Sequence, residues 1–229
     1  MKPIYKPTGA AAEYGDYAIN IYTGCPHRCY YCFAPMVLRQ DREYFHTHIE
    51  PRKNIVEETR RQIEREKICG KLIHLCFTCD PYPTGYDSTA TREIIKLVKE
   101  SWNFVQILTK GDGSRDLDLL GSGDRYGITL DGLEDENDIS FSERFAGLVA
   151  ARNRGIKTWV SFEPVCNESR FFQELHLVAD LVDKVKIGRL NYHDSTINWK
   201  AFGEKAEKEC SALGLDYYIK ESLRKEMET

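Results

Sequence analysis

The sequence predicts an α/β fold, an incomplete (β/α)6 TIM-type barrel with parallel strands. Short apolar runs alternate with amphipathic stretches along most of the chain, the pattern of βα units around a parallel sheet. Six such units at about 30 residues each account for about 180 of the 229 residues, and the whole chain is shorter than the roughly 250 residues of a closed eight-unit barrel. No repeat, low-complexity tract or Gly/Ser linker divides the chain, so 1–229 reads as a single domain with its core over about 18–213.

The first strand is expected over Tyr17–Tyr22, running into a loop. Helix Arg52–Cys69 then leads to strand Lys71–Thr78, helix Thr91–Ser101 to strand Asn103–Thr109, and a short helix Ser114–Leu120 to strand Tyr126–Leu130. Helix Phe141–Arg154 carries its own punctuation. Ser140 and Glu143 make a capping box, Phe145, Leu148 and Val149 share a face, and Gly155 stands where a left-handed cap would end it. Strand Lys157–Phe162, helix Glu168–Ala179 and strand Lys184–Leu190 follow. In the last helix, Ile197–Leu213, the residues Trp199, Phe202, Ala206, Cys210 and Leu213 form one stripe before Gly214. Asp216–Lys220 is expected to add a short strand or cover an open edge, and the charged tail 221–229 to fray.

With 41% hydrophobic and 30% charged residues the chain can bury a core, which excludes disorder and collagen-like order. No run approaches the roughly 20 apolar residues of a membrane span, and the first six residues lack the apolar stretch of a signal peptide. A cytoplasmic protein without a membrane partner is therefore expected. Its eight cysteines are then not a disulfide framework, which leaves metal binding, redox chemistry or burial. A net charge of −4 argues against a general nucleic-acid binder, although it permits a local basic groove.

The chemistry concentrates just after the first strand, in Thr23-Gly24-Cys25-Pro26-His27-Arg28-Cys29-Tyr30-Tyr31-Cys32-Phe33. A loop can turn three thiolates inward onto one inorganic centre, where a strand or helix would splay them. Structural zinc closes with four ligands, whereas a centre held by three protein ligands keeps a position for an exogenous one. Competing readings are three unrelated core cysteines, or a zinc site that recruits His27 or Cys79 as its fourth ligand.

This Cys-x3-Cys-x2-Cys spacing, with an aromatic before the last cysteine, resembles the radical S-adenosylmethionine (SAM) superfamily. Phe77-Thr78-Cys79-Asp80-Pro81-Tyr82-Pro83, Leu108-Thr109-Lys110, Gly127-Ile128-Thr129-Leu130 and Ser161-Phe162-Glu163-Pro164-Val165 extend the likeness to the spore-photoproduct-lyase-like subgroup. The resemblance implies a [4Fe-4S] cluster on Cys25, Cys29 and Cys32, with SAM on its fourth iron. It further implies an electron donor such as flavodoxin or ferredoxin, and hydrogen-atom abstraction from substrate by a 5′-deoxyadenosyl radical.

Residue by residue, the resemblance places Tyr31 against the adenosyl part of SAM and the Thr78, Cys79, Asp80 region against its amino group. It places Lys110 against the carboxylate, Thr129 as a hydrogen-bonding partner, and Glu163 near the ribose or the substrate. Ile187 and Gly188 would approach the adenine, while Arg189, Asn191 and His193 would face substrate. Tyr31, Cys76 and Glu163 are the catalytic candidates. Two departures from the lyases stand out. Phe77 occupies the place of their hydrogen-donating cysteine, one residue from Cys76, and Phe33 replaces the second tyrosine of their relay.

A nucleic-acid base or nucleotide is the leading substrate by analogy, with a peptide or small metabolite as the alternative. A zinc-stabilised binding module without catalysis is the rival from another class. Cys76 and Cys79 form a Cys-x2-Cys pair that, with Cys69, suggests a second cluster or a redox pair, but burial of these thiols is the stronger expectation, as for Cys210. Cys166 has no evident partner. The basic and aromatic stretch from Arg39 to Arg65, interleaved with Asp and Glu, reads as solvated helix faces laced with i,i+4 pairs, and part of it as a possible edge of the substrate mouth.

Overall fold

The computed structural model describes residues 2–133 and 139–228, so Met1, residues 134–138 and Thr229 of the predicted domain and tail lie outside the described residues. Eight strands pair in chain order: β1 (Ile4–Tyr5), β2 (Tyr17–Ile19), β3 (Leu72–Leu75), β4 (Phe104–Thr109), β5 (Arg125–Thr129), β6 (Lys157–Val165), β7 (Lys184–Arg189) and β8 (Tyr217–Ile219). Strands β2 to β8 are parallel and β1 is antiparallel to β2, giving an unclosed sheet of the partial-barrel kind. The six predicted strands are β2 to β7. Asp216–Lys220 supplies β8, whereas β1 is too short to carry a readable pattern.

Along the chain the helices are α1 (Ala34–Leu38), α2 (Arg42–Thr47), α3 (Ile55–Glu66), α4 (Thr89–Glu100), α5 (Phe141–Asn153), α6 (Glu168–Val178), α7 (Trp199–Ala212) and α8 (Glu221–Glu228). The core is built from strand residues such as Ile73, Leu75, Val105, Ile107, Ile128, Val160 and Val185, all fully buried against helix faces. Each such side chain contributes roughly 1.5–3 kcal/mol when removed from water. The capping box of Ser140 and Glu143 is formed, and Gly155 and Gly214 take positive φ after their helices. Arg61 pairs with Glu57 at i,i+4 on α3, as a solvated helix face requires.

Some expectations are corrected. The tail does not fray: α8 buries Leu223, packs Met227 on Gly203, and pairs Arg224 with Glu207 and Glu226 with Arg189. Its apolar residues recur at helical spacing, which the dominant charge obscures. Residues 114–119 form a 3-10 turn instead of an α-helix, fastened by the buried Asp116 between Arg92 and Arg115. Strand β3 stops at Leu75 because Cys76 takes a left-handed conformation, φ 67°. Cys69 is exposed, since α3 ends at Glu66 and Lys67 turns the chain at φ 52°.

Between β1 and β2, a 3-10 turn over Gly9–Glu13 delivers Tyr14 to the interior of the sheet's curve. There its ring meets those of His74, Phe77 and Trp159. Among the described residues, no helix is long and apolar enough to cross a membrane.

Candidate active site

The cysteine loop leaves β2 and is clamped by α2. Asp41 caps that helix through Tyr44 N–H at 2.9 Å, which sets Arg42 at its first turn. The Arg42 guanidinium donates to the carbonyls of Cys29, Tyr30 (2.8 Å) and Cys32 (3.3 Å), gathering the turn between the second and third cysteines. His46 Nδ1 lies 2.7 Å from the Cys25 carbonyl, and Cys25 N–H donates to the Phe45 carbonyl at 3.2 Å. Gly24 is required here, because a Cβ would stand 2.2 Å from the Phe45 oxygen.

Cys25, Cys29 and Cys32 are half-buried and in no disulfide, and no three His, Cys, Asp or Glu side chains among the described residues are grouped closely enough to hold a metal ion as they stand. Burial pushes the Cys25 thiol well up, with the Asp80 charge adding to it, and burial also raises Cys32. An incoming metal centre must therefore displace protons from these sulfurs. A set of three soft donors on one loop nevertheless fits iron and sulfide chemistry.

Two carboxylates hold the strand ends beneath this loop. Asp80 accepts from Tyr82 N–H (2.8 Å), Lys110 N–H (2.9 Å) and the Thr109 hydroxyl, and its Oδ2 lies 3.3 Å from the buried His27 Nε2. Both its oxygens are thus engaged in tying the cysteine loop to β3 and β4. Asp131, just beyond β5, accepts from the Tyr31 hydroxyl and pairs with Lys110 Nζ at 2.7 Å, while that ammonium sits 5.6 Å from the Tyr31 ring centroid. Burial and the Cys29 and Asp131 charges keep the Tyr31 phenol protonated by raising its pKa. Thr78 Oγ1 is buried without a hydrogen-bond partner, an orphaned acceptor at the place predicted to meet an amino group.

Beside the loop opens a cleft of about 490 Å³ whose lining includes Tyr31, Phe33, Cys76, Phe77, Tyr14, Glu163, Asn191 and Lys220. All three catalytic candidates, Tyr31, Cys76 and Glu163, line it. Tyr14 donates to Glu163 Oε2 at 2.6 Å, and Lys220 Nζ lies 3.2 Å from that oxygen while also pairing with Glu13. Lys186, 3.6 Å from the Tyr14 ring centroid, is pushed down to about 8 by burial.

Gly188 lies behind Glu163 and Lys220, which line the cleft and fill the space beside it: a Cβ there would stand 2.9 Å from Glu163 Cγ. The Ile187 side chain is fully buried, in register with Phe162 and Ile219. Thr129 is half-buried opposite Ser161. Arg189 lines the cleft while paired to Glu226, and His193 packs edge-on against Tyr30 at 5.3 Å. Cys166, without an evident partner in the sequence, receives the Tyr30 hydroxyl at 3.5 Å.

The family model described as the Radical SAM superfamily matches residues 19–169. The chain belongs to the radical SAM superfamily. Members of this superfamily generally bind a [4Fe-4S] cluster and SAM. This radical SAM chain is 32% identical over 125 residues to an uncharacterized protein of Mycobacterium tuberculosis, covering 50% of the chain and 36% of the relative. It is 29% identical over 161 residues to an uncharacterized protein of Methanocaldococcus jannaschii, covering 65% and 60%. The match therefore spans less than two thirds of either relative's length.

Among solved structures, a spore photoproduct lyase mutant with bound AdoMet and dinucleoside spore photoproduct aligns at TM-score 0.68, with 14% identity, covering 93% of this chain and 78% of that one. SuiB of Streptococcus suis bound to S-adenosylmethionine aligns at 0.66, with 9% identity, covering 88% and 49%. These likenesses concern the fold.

Asp131, Arg42, Tyr14 and Lys220 were not singled out from sequence. Asp131 had a signal: an acid two residues past β5 and before Gly132, near the rim where Lys110 follows β4. Tyr14 and Lys220 had none, because their partners lie 149 and 207 residues away.

Proposed function

We propose that this chain is one radical SAM domain whose Cys25, Cys29 and Cys32 hold a [4Fe-4S] cluster and whose cleft binds SAM and a substrate that loses a hydrogen atom. These cysteines would hold the cluster, which when bound would supply the one-electron chemistry for reductive cleavage of SAM and so for hydrogen abstraction. The observation that carries the reading is three cysteines on one clamped loop beside a cleft in a radical SAM fold.

In this reading Lys110, paired with Asp131, attracts the SAM carboxylate, and the Thr78 hydroxyl accepts from its ammonium. Asp80 and Cys79 support this wall from behind, since Asp80's oxygens are engaged by the chain itself. Tyr31 covers the adenosyl group and Thr129 and Glu163 are hydrogen-bonding partners, whereas Ile187 and Gly188 could offer their backbone to the adenine only if the Glu163 and Lys220 side chains swing aside. His27 faces Asp80 and Cys79 accepts from Tyr22 N–H, so both residues able to complete a four-ligand zinc site are engaged elsewhere.

The substrate proposed is a nucleic-acid base or nucleotide, supported by the fold shared with a lyase that holds a dinucleoside; a peptide is the second reading, since SuiB has been solved bound to its precursor peptide. A cytoplasmic location and a flavodoxin- or ferredoxin-type electron donor complete the proposal.

Anaerobic reconstitution should give about four irons per chain and, after reduction, 5′-deoxyadenosine from SAM. Cys29→Ala should lose both. Stoichiometric zinc without iron in anaerobically isolated protein would defeat the reading.

A further inference from the structure

We propose that the amino-terminal face of the sheet, at the other end of the strands from the cysteine loop, binds single-stranded nucleic acid. A groove of about 610 Å³ opens there, with Lys6, Lys71 and Arg125 in its lining. Lys71 immediately precedes β3, while Arg125 and Lys157 begin β5 and β6 in register with each other. Phe104 begins β4 between them, paired with Leu72. Neighbouring strands lie about 4.8 Å apart, so three cations and one ring stand in a row across four strand starts. Trp102 stands beside this row, its carbonyl accepting at 3.0 Å from the N–H of Gly70, the residue before Lys71.

The charges of this row are uncompensated. Other cations on the same face have carboxylate partners: Lys99 pairs with Asp124, Arg152 with Asp183 and Lys184 with Asp216. Lys6, Lys71, Arg125 and Lys157 make no ion pair among the described residues, and Arg125 donates to the neutral Gln106 amide oxygen at 3.2 Å. The two acids that line the groove are engaged by the chain itself. Glu13 pairs with Lys186 and Lys220, and Asp16 accepts from Leu72 N–H at 2.9 Å. On a chain of net charge −4, four unpaired cations on one face make a local positive surface that attracts anions.

The rings select the kind of anion. Trp102 is 81% exposed and Phe104 41% exposed, and Trp102 holds a left-handed turn at φ 57°. That conformation is unfavourable for a bulky residue, and an exposed indole returns no burial to the core. Cations that meet phosphates beside rings that stack on bases are the means by which proteins hold single strands, whose bases are free to stack as those of a duplex are not. An acidic polypeptide would engage the cations and leave the rings without a role. Neither the cluster nor SAM enters this inference, and their presence is read separately from iron content and 5′-deoxyadenosine.

The full chain, isolated anaerobically, is titrated into fluorescein-labelled oligothymidylate and oligouridylate of about twelve nucleotides, with polyglutamate as the acidic competitor. Anisotropy should rise with at least one oligonucleotide, and affinity should fall about fiftyfold from about 50 to about 200 mM salt, as four phosphate contacts require. Of the three tryptophans, Trp159 and Trp199 are buried, so quenching of exposed indole emission reports Trp102. Unlabelled oligonucleotide should quench that emission, and Trp102→Ala should weaken binding about tenfold. Lys71→Gln combined with Arg125→Gln should reduce the log–log salt slope by about 1.4. Absence of binding, binding that leaves Trp102 emission unchanged, or displacement by polyglutamate as effective as by oligonucleotide would overturn the proposal. The wild-type quenching and competition decide the matter if a variant fails to fold.

Discussion

The cleft has two unlike walls. The cysteine-loop wall is fastened by the carboxylates of Asp80 and Asp131, which reach backbone N–H groups, hydroxyls and one ammonium at neighbouring strand ends. The other wall rests on an ionic cluster of Glu13, Glu163, Lys186 and Lys220 assembled around one tyrosine ring, of which Glu163 and Lys220 reach the cleft. The first wall uses hydrogen bonds to fix a loop's shape. The second uses paired charges to join the two ends of the chain, so the walls should fail in different ways.

The largest difference in stability is expected from Asp131→Asn, which leaves the Lys110 ammonium without its buried carboxylate. Breaking a buried pair from one side costs about 3 kcal/mol, and denaturant unfolding should show a loss of that order. A loss below about 0.5 kcal/mol would mean that Asp131 does not fasten the first wall.

A pH test addresses the ground between the walls. His74, enclosed by Tyr14 and Phe77, has its pKa pulled down to about 3, chiefly by burial and then by the Lys186 charge. The unfolded chain takes up this proton near pH 6.5 and the folded chain only near 3. Folded stability should therefore fall as pH drops from 6.5 towards 3, with His74 contributing up to about 1.4 kcal/mol per pH unit. His74→Gln should flatten that part of the profile; an unchanged slope would place the histidine elsewhere.

The smallest effect is expected from Tyr14→Phe, which removes the hydrogen bond to Glu163 while keeping the ring, at a cost of about 1.5 kcal/mol. Combined with Asp131→Asn the losses should add to within about 0.5 kcal/mol. A larger coupling would show that the two walls act as one unit.

The same contrast explains what could be read from the sequence. Cysteine spacing, the strand periods and Lys110 at a strand end are local signals, and β2 to β7 appear where those periods place them. Cys76 ends β3 early because a left-handed residue leaves no mark in hydrophobic pattern. α8 was hidden by charge, although Leu223 and Met227 face inward at helical spacing. The Tyr14, Glu163 and Lys220 contacts are products of closure, which a linear pattern does not encode.

Tyr14 borders both the cleft and a groove at the opposite, amino-terminal face of the sheet, so it stoppers the barrel along its axis. Anyone shortening this chain to its family-matched span, 19–169, would discard the stopper, Lys186 and Lys220 together, leaving Glu163 without any of these partners. The useful minimum for engineering is thus set by a cork at one end and its fastening at the other.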